Sequence, residues 1–250
     1  MKNLSKYGFG TAYLHHHLQR KRLDLISCAL DNGITHFDTA PYYGYGVGER
    51  TLSYFSSENI TITTKFGLYP KGGCNQKLPE IYLRKIFGKF SPFAVDKLIK
   101  DFSIKKAQES LDSSRFRLNR DYIDFFLIHE PENELLDNPS LVEWLNKQVS
   151  LGNILNYGLA GDLSNINSFS KEELSKYSVF QTNYHDMKNL QEKSLSAKAK
   201  IIFSYHWMKK IPKEYNKPYS LQENIRKTED HIECLLFSSS NKKHISEFRI

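Results

Sequence analysis

The chain has 250 residues, 35 basic and 28 acidic side chains, a formal net charge of +7 and 40% hydrophobic residues. That length supports one domain with a substantial core, and the balance of apolar and charged residues is that of a soluble globular protein. No apolar run approaches membrane-spanning length, and the surplus basic charge is scattered rather than gathered into a face for nucleic acid, so both of those classes are set aside.

In chain order, residues 7–14 read as a strand and 19–32 as a helix with Leu23, Ile26 and Leu30 on one face. Residues 34–39 form a strand and 48–55 a short helix, and 59–66 alternate as a strand. Residues 67–101 are the one long irregular stretch, holding Pro70, Gly72, Gly73, Pro79 and Pro92; a substrate lid and a plain surface excursion are equally open there. Its basic run, 84–100, reads as a solvated face. A helix over 103–111 precedes 122–129, a continuous apolar run such as a strand covered on both faces shows. Then come a helix over 139–151 (Leu141, Leu145 and Val149 spaced by four), a strand over 154–160, a helix over 171–176 and a strand over 179–184. Helix 189–197, strand 200–207, helix 221–230, strand 232–237 and helix 241–248 complete the chain.

Eight strands alternating with helices favour a parallel sheet, and a count of eight favours a closed (β/α)8 TIM barrel, class α/β, over an open sheet. No linker divides 1–250, so a single domain is expected. Cys28, Cys74 and Cys234 lie far apart with no CxxC pair, which suits a reducing compartment. The N-terminal Met-Lys-Asn-Leu-Ser has no apolar signal core, so a cytoplasmic location is expected. His15, His16 and His17 are adjacent in a loop and point different ways, so no metal is expected. Gly44-Tyr45-Gly46-Val47-Gly48 lacks dinucleotide-fingerprint spacing and reads as a turn. Cys28 lies near the apolar face of the first helix and reads as core.

In such a barrel the C-terminal strand ends converge on one pocket. Strand two ends in Asp38, strand three in Lys65 and strand four in His129, and the loop after strand two adds Tyr43. These types form a coherent proton-transfer set. A phenol ordinarily titrates near 10, a neighbouring ammonium favours its phenolate, a carboxylate holds that ammonium charged, and an imidazole can orient a substrate oxygen. A strand-end Asp is often only a helix cap, a strand-end His only a satisfied structural residue, and Lys65 alone reads equally as an ordinary surface lysine. It is the joint placement on successive strand ends that points to chemistry.

The segment His36-Phe37-Asp38-Thr39-Ala40-Pro41-Tyr42-Tyr43-Gly44-Tyr45-Gly46-Val47-Gly48-Glu49-Arg50 closely resembles the signature of the aldo-keto reductases. So do Thr63-Thr64-Lys65-Phe66-Gly67, and Ser110-Leu111 followed by Asp121-Tyr122-Ile123-Asp124-Phe125-Phe126-Leu127-Ile128-His129-Glu130-Pro131. The resemblance runs from Gly8-Phe9-Gly10-Thr11-Ala12 to the final helix. It implies a catalytic tetrad of Asp38, Tyr43, Lys65 and His129, with Tyr43 the general acid/base, Lys65 tuning it, Asp38 supporting Lys65 and His129 orienting the carbonyl.

The cofactor side departs from the family pattern. Ala160-Gly161 stand where the resemblance implies Ser-Asn holding a nicotinamide carboxamide, so backbone groups or Asp162 must substitute. Gln181 matches the other carboxamide partner, and Tyr205 the aromatic that stacks on the ring. Ser238, Ser239, Ser240, Asn241 and Lys242 read as a phosphate-binding turn after the last strand, with helix capping as the alternative. Ser238 and His244 stand where the family reads phosphate with Lys and Arg, and Lys242 and Lys243 could compensate. Gly10 and Thr11 complete the expected cofactor set. NADP(H) is favoured over NAD(H).

By resemblance the substrate is a small carbonyl or sugar. The chain ends at Ile250, so the family's C-terminal substrate loop is expected to be absent, with the pocket open or completed by 67–101 or another subunit. Expected partners include no nucleic acid and no membrane, and the chain is expected to be a monomer or weak homo-oligomer. The competing reading is a cofactor-poor barrel that serves as a non-catalytic binding or regulatory subunit, motivated by Ala160-Gly161 and the short C-terminus.

Overall fold

The computed structural model describes residues 4–57, 59–69, 98–132, 135, 138–162, 170–183, 201–205 and 233–249. The elements run β1 (Tyr7–Gly10), α1 (Gln19–Asp31), β2 (His36–Asp38), α2 (Val47–Leu52), β3 (Thr61–Phe66), β4 (Leu68–Tyr69), β5 (Ile99–Lys100) and α3 (Ile104–Leu118). They continue with β6 (Ile123–His129), α4 (Pro139–Ser150), β7 (Ile154–Ala160), α5 (Lys171–Ser175), β8 (Val179–Asn183), β9 (Ile201–Tyr205), β10 (Cys234–Phe237) and α6 (Lys242–Ser246). The expected helices at 189–197 and 221–230 lie outside the described residues.

Eight strands close into a parallel barrel in the order β1-β10-β9-β8-β7-β6-β3-β2. Closure is made by Gly8, whose neighbours are Leu236 on one side and His36 on the other. The remaining pair, β4 with β5, is an antiparallel ribbon outside the ring. It corrects the reading of 67–101 as irregular throughout: Leu68 pairs with Lys100, Tyr69 with Ile99, and the Asp101 N–H donates to the Gly67 carbonyl at 3.0 Å. Residues 70–97, with most of the basic run, lie outside the described residues.

Side-chain alternation along each strand builds two apolar layers. Phe126 and Ile128 of β6 join Phe37, Ile62, Phe66, Leu159 and Phe180 in the large core between barrel and helices. Phe125 and Leu127 point the other way, into a smaller interior cluster with Ala160, Val179, Cys234 and Leu236. Burying a large apolar side chain stabilises by roughly 1.5–3 kcal/mol, so each strand's register is strongly specified.

Helix ends follow local chemistry. The Ser103 hydroxyl accepts from the Lys106 N–H at the start of α3, and Asn119 closes that helix in the left-handed region at φ 53°. Asn138 caps α4 ahead of Pro139, and Ser170 with Glu173 forms a capping box on α5. Three sequence expectations change. Strand 7–14 ends at Gly10, and a 3-10 turn takes Leu14–His16. The buried face of α1 is Leu25, Ile26 and Ala29, with Cys28 and Leu30 partly buried against the core. In α4, Gln148 is buried where Val149 was expected, and Val149 is exposed.

Candidate active site

The same alternation that makes the interior cluster decides which polar groups reach the barrel mouth. In β2, Phe37 faces the outer core, which turns His36 and Asp38 inward. In β3, Ile62 and Phe66 face outward, which turns Thr61, Thr63 and Lys65 inward. His129 continues the inward parity of Phe125 and Leu127, and Gln181 that of Val179. Asp38 and His129 end β2 and β6, Lys65 stands one residue before the end of β3 and Gln181 two before the end of β8, so the four gather toward one mouth of the ring.

Lys65 Nζ donates to Asp38 Oδ1 at 2.6 Å and to the Thr39 carbonyl at 3.0 Å. It also lies 5.0 Å from the centroid of the Tyr43 ring. The Tyr43 and His129 rings meet edge to face, 6.0 Å between centroids at 86°. The structure thus brings all four sequence-predicted catalytic residues together. Asp38, Lys65 and His129 are buried, and Tyr43 is half-buried between them and the rim.

Burial dominates the electrostatics. It lowers the Lys65 ammonium pKa against the pull of Asp38, Glu49 and Glu130, and raises the Asp38 carboxyl pKa against its bonds from Lys65 and Gln181. Burial, with the charges of Lys65 and Lys100, holds His129 well below the ordinary imidazole range. His129 is therefore neutral at pH 7 and carries one ring N–H. Its buried Nδ1 has no hydrogen-bond partner among the described residues. Beneath it, His36 bonds the Thr61 and Thr63 hydroxyls at 2.9 and 3.2 Å, and burial pushes its pKa down to about 3.

The expected cofactor residues separate into groups. Thr11 is buried, and its N–H and hydroxyl both donate to the Asp38 carbonyl at 2.9 and 3.1 Å, bracing the end of β1 on the end of β2. Gln181 is buried at the mouth, and its Oε1 has no partner among the described residues. The Ser238 hydroxyl donates to the Gly10 carbonyl at 2.9 Å, joining the ends of β10 and β1. Ser239 accepts from the Asn241 N–H at 3.1 Å, and the Asn241 side chain caps α6 by accepting from the Lys243 N–H at 3.0 Å. Ser240 and Lys242 are exposed, and Lys242 Nζ lies 3.9 Å from Asp24 Oδ2. Tyr205 ends β9 in register with Asn183 of β8.

At Ala160-Gly161 the Glu130 N–H donates to the Ala160 carbonyl at 2.7 Å, and the Gly161 N–H to the Gln181 carbonyl at 3.0 Å. Glu130 Oε2 lies 3.1 Å from where a Cβ on residue 161 would stand, so that carboxylate fills the space of a side chain there. Asp162 is exposed. No group of metal-ligating side chains occurs among the described residues, and His15 Nδ1 is bonded to the Ala12 carbonyl at 2.9 Å.

One feature escaped the sequence reading. Glu49 and Arg117 form a buried ion pair, Nε to Oε2 at 2.5 Å, and Thr64 donates to the other Glu49 oxygen at 2.7 Å. Glu49 lies inside the signature segment, but nothing in spacing marks which of two adjacent charges, Glu49 or Arg50, points inward.

A sequence model of the aldo/keto reductase family matches residues 6–201. A D-threo-aldose 1-dehydrogenase from Pseudomonas sp. is 29% identical over 119 residues, covering 45% of this chain and 35% of that protein. The match thus spans about a third of that relative. An aldo-keto reductase from Bacillus halodurans in its holo form superposes with a TM-score of 0.70 at 17% identity, covering 98% of this chain and 85% of that one. An aldo-keto reductase from Klebsiella pneumoniae in complex with NADPH superposes at 0.64 and 15% identity, covering 98% and 84%. No helix among the described residues is long and apolar enough to cross a membrane.

Proposed function

The chain belongs to the aldo-keto reductase family, and on that footing we propose that it is an NAD(P)(H)-dependent oxidoreductase that interconverts a carbonyl and an alcohol, or a lactol and a lactone, on a small sugar-like substrate. The observation that carries the reading is the placement of Lys65 Nζ, 2.6 Å from Asp38 Oδ1 and 5.0 Å from the Tyr43 ring centroid.

The nicotinamide, when bound, supplies or accepts the hydride. Each proton movement falls to the chain itself. In reduction, the Tyr43 hydroxyl gives its proton to the carbonyl oxygen, and the Lys65 ammonium stabilises the phenolate left behind. In oxidation that phenolate takes the proton back. Asp38 offsets the cost of burying the ammonium. Neutral His129 donates its one N–H to the substrate oxygen and fixes its angle; a cationic ring there would add a second buried positive charge beside Lys65.

The cofactor fits on one observation in particular. The buried, unpartnered Gln181 Oε1 is an acceptor suited to a carboxamide N–H. Gly10, Thr11, Tyr205 and the Ser238, Ser239, Ser240, Asn241 and Lys242 turn are the other groups proposed to hold it. NADP(H) is favoured over NAD(H) by the exposed Lys242 and Lys243 and by the NADPH complex of the Klebsiella pneumoniae structure. A sugar-like substrate is favoured by the aldose dehydrogenase relative.

The test is a fluorescence titration with NADPH and with NADH, followed by an aldehyde and aldose screen. Saturable binding, tighter for NADPH, with turnover supports the reading. Binding of neither cofactor overturns it in favour of a non-catalytic barrel.

A further inference from the structure

The turn that follows Tyr43 is held by Arg50, Arg117 and Glu49, charged side chains apart from the Asp38, Lys65 and His129 group. Gly44, Tyr45 and Gly46 take φ values of 58°, 58° and 79°, three consecutive residues in the left-handed region. For Tyr45 that conformation is unfavourable and persists only where its surroundings impose it. Those surroundings are arginines. Arg50 donates to the Tyr45 carbonyl at 2.7 Å. Arg117, from α3, lies so close over Gly46 that a Cβ there would stand 2.9 Å from its Cδ and Nε.

Arg117 is in turn fixed by Glu49 at 2.5 Å, and both side chains are almost fully buried. The second Glu49 oxygen accepts from Thr64, the residue before Lys65, at 2.7 Å. One carboxylate thus ties the segment after Tyr43 to the strand that presents Lys65. A buried ion pair is weak evidence for stability as such, since apolar replacements often serve equally well, so stability alone does not account for a pair at this place.

We propose that the Glu49–Arg117 pair is a positioning element of the proton-transfer centre, setting the Tyr43 turn at its distance from Lys65. This rests on the assignment of Tyr43 as acid/base. Lys65 interacts electrostatically with Asp38 and His36 from β2, with Glu49 from α2, with His129 of β6 and with Glu130 just after it. Glu49 therefore also contributes to keeping the ammonium protonated.

The test is a double-mutant cycle on kcat for glyceraldehyde with NADPH. It compares Glu49→Gln/Arg117→Gln with Tyr43→Phe, alone and combined. Removing both charges avoids stranding one in the interior, and Arg117→Lys serves as the conservative variant if the double change fails to fold. The double variant is expected to melt cooperatively and bind NADPH within about twofold of the parent. Its kcat is expected to fall by about 10- to 100-fold, the effect of displacing a reacting group by on the order of 1 Å, with Arg117→Lys recovering part of it. In the Tyr43→Phe background the same change is expected to have no further effect, because positioning acts only through the phenol. An equal fall in both backgrounds, or no fall in either, overturns the inference and leaves the acid/base assignment standing. Near-parental turnover by Tyr43→Phe, or no turnover by the parent chain, overturns that assignment and this inference with it.

Discussion

Lys65 Nζ and Asp38 Oδ1 stand 2.6 Å apart with side chains 1% and 6% exposed, so each charge depends on the other for its place in the interior. Breaking a buried pair by removing one partner strands the survivor and costs about 3–5 kcal/mol. Asp38→Asn is therefore expected to lose stability on that order while leaving Lys65 uncharged and turnover severely impaired. Denaturant unfolding and steady-state kinetics on the same preparation check both parts. A stability change below about 1 kcal/mol would mean that the pair is not charged in the folded protein.

Gly44 makes a separate prediction. Its φ is 58°, and a Cβ there would lie 2.2 Å from His15 Cβ. Gly44→Ala combines an unfavourable backbone conformation, about 1–2 kcal/mol, with a clash against the loop after β1. We expect a loss above about 1 kcal/mol and a fall in kcat, since Tyr43 is the adjacent residue. Parental stability and rate in this variant would show that the loop yields freely.

Acid sensitivity should come from the barrel interior. His36 titrates at about 3 in the folded chain and near 6.5 when unfolded, so between those values the unfolded state binds the extra proton. Stability is then full above about pH 6.5 and falls as pH drops toward 3, by up to about 1.4 kcal/mol per pH unit from this group. His129, also lowered, adds to the same slope. Melting temperature measured from pH 7 to pH 4 should decline, and less steeply in His36→Asn. A flat profile, or an unchanged slope in the variant, would contradict the assignment of neutral buried imidazoles.

The sequence revealed most where burial is apolar and strictly alternating. Strand β7 has the expected bounds, Ile154–Ala160, and Asp38 and His129 end β2 and β6 as expected, with Lys65 one residue before the end of β3. It was opaque where polar groups are buried. Helix α3 runs to Leu118 rather than 111, because its last turns bury Ser114 and Arg117 and expose Phe116, the reverse of the apolar periodicity that marks a helix face. The Glu49–Arg117 pair was hidden for the same reason. The bond from the Thr11 hydroxyl to the Asp38 carbonyl, which ties the end of β1 to the end of β2, was likewise not marked by any spacing. The ribbon at Leu68–Tyr69 and Ile99–Lys100 has two-residue strands, too short to carry a pattern.

The proposed mechanism turns on Tyr43 moving the proton. Its most direct test is Tyr43→Phe, with NADPH affinity and kcat measured side by side. Loss of a positioned acid/base typically costs about 10²–10⁴ in rate, while the phenyl ring preserves the packing against His129. We expect NADPH binding within about twofold of the parent and a kcat reduced by at least two orders of magnitude. Retention of most of the activity with intact binding would contradict it and require another group to supply the proton.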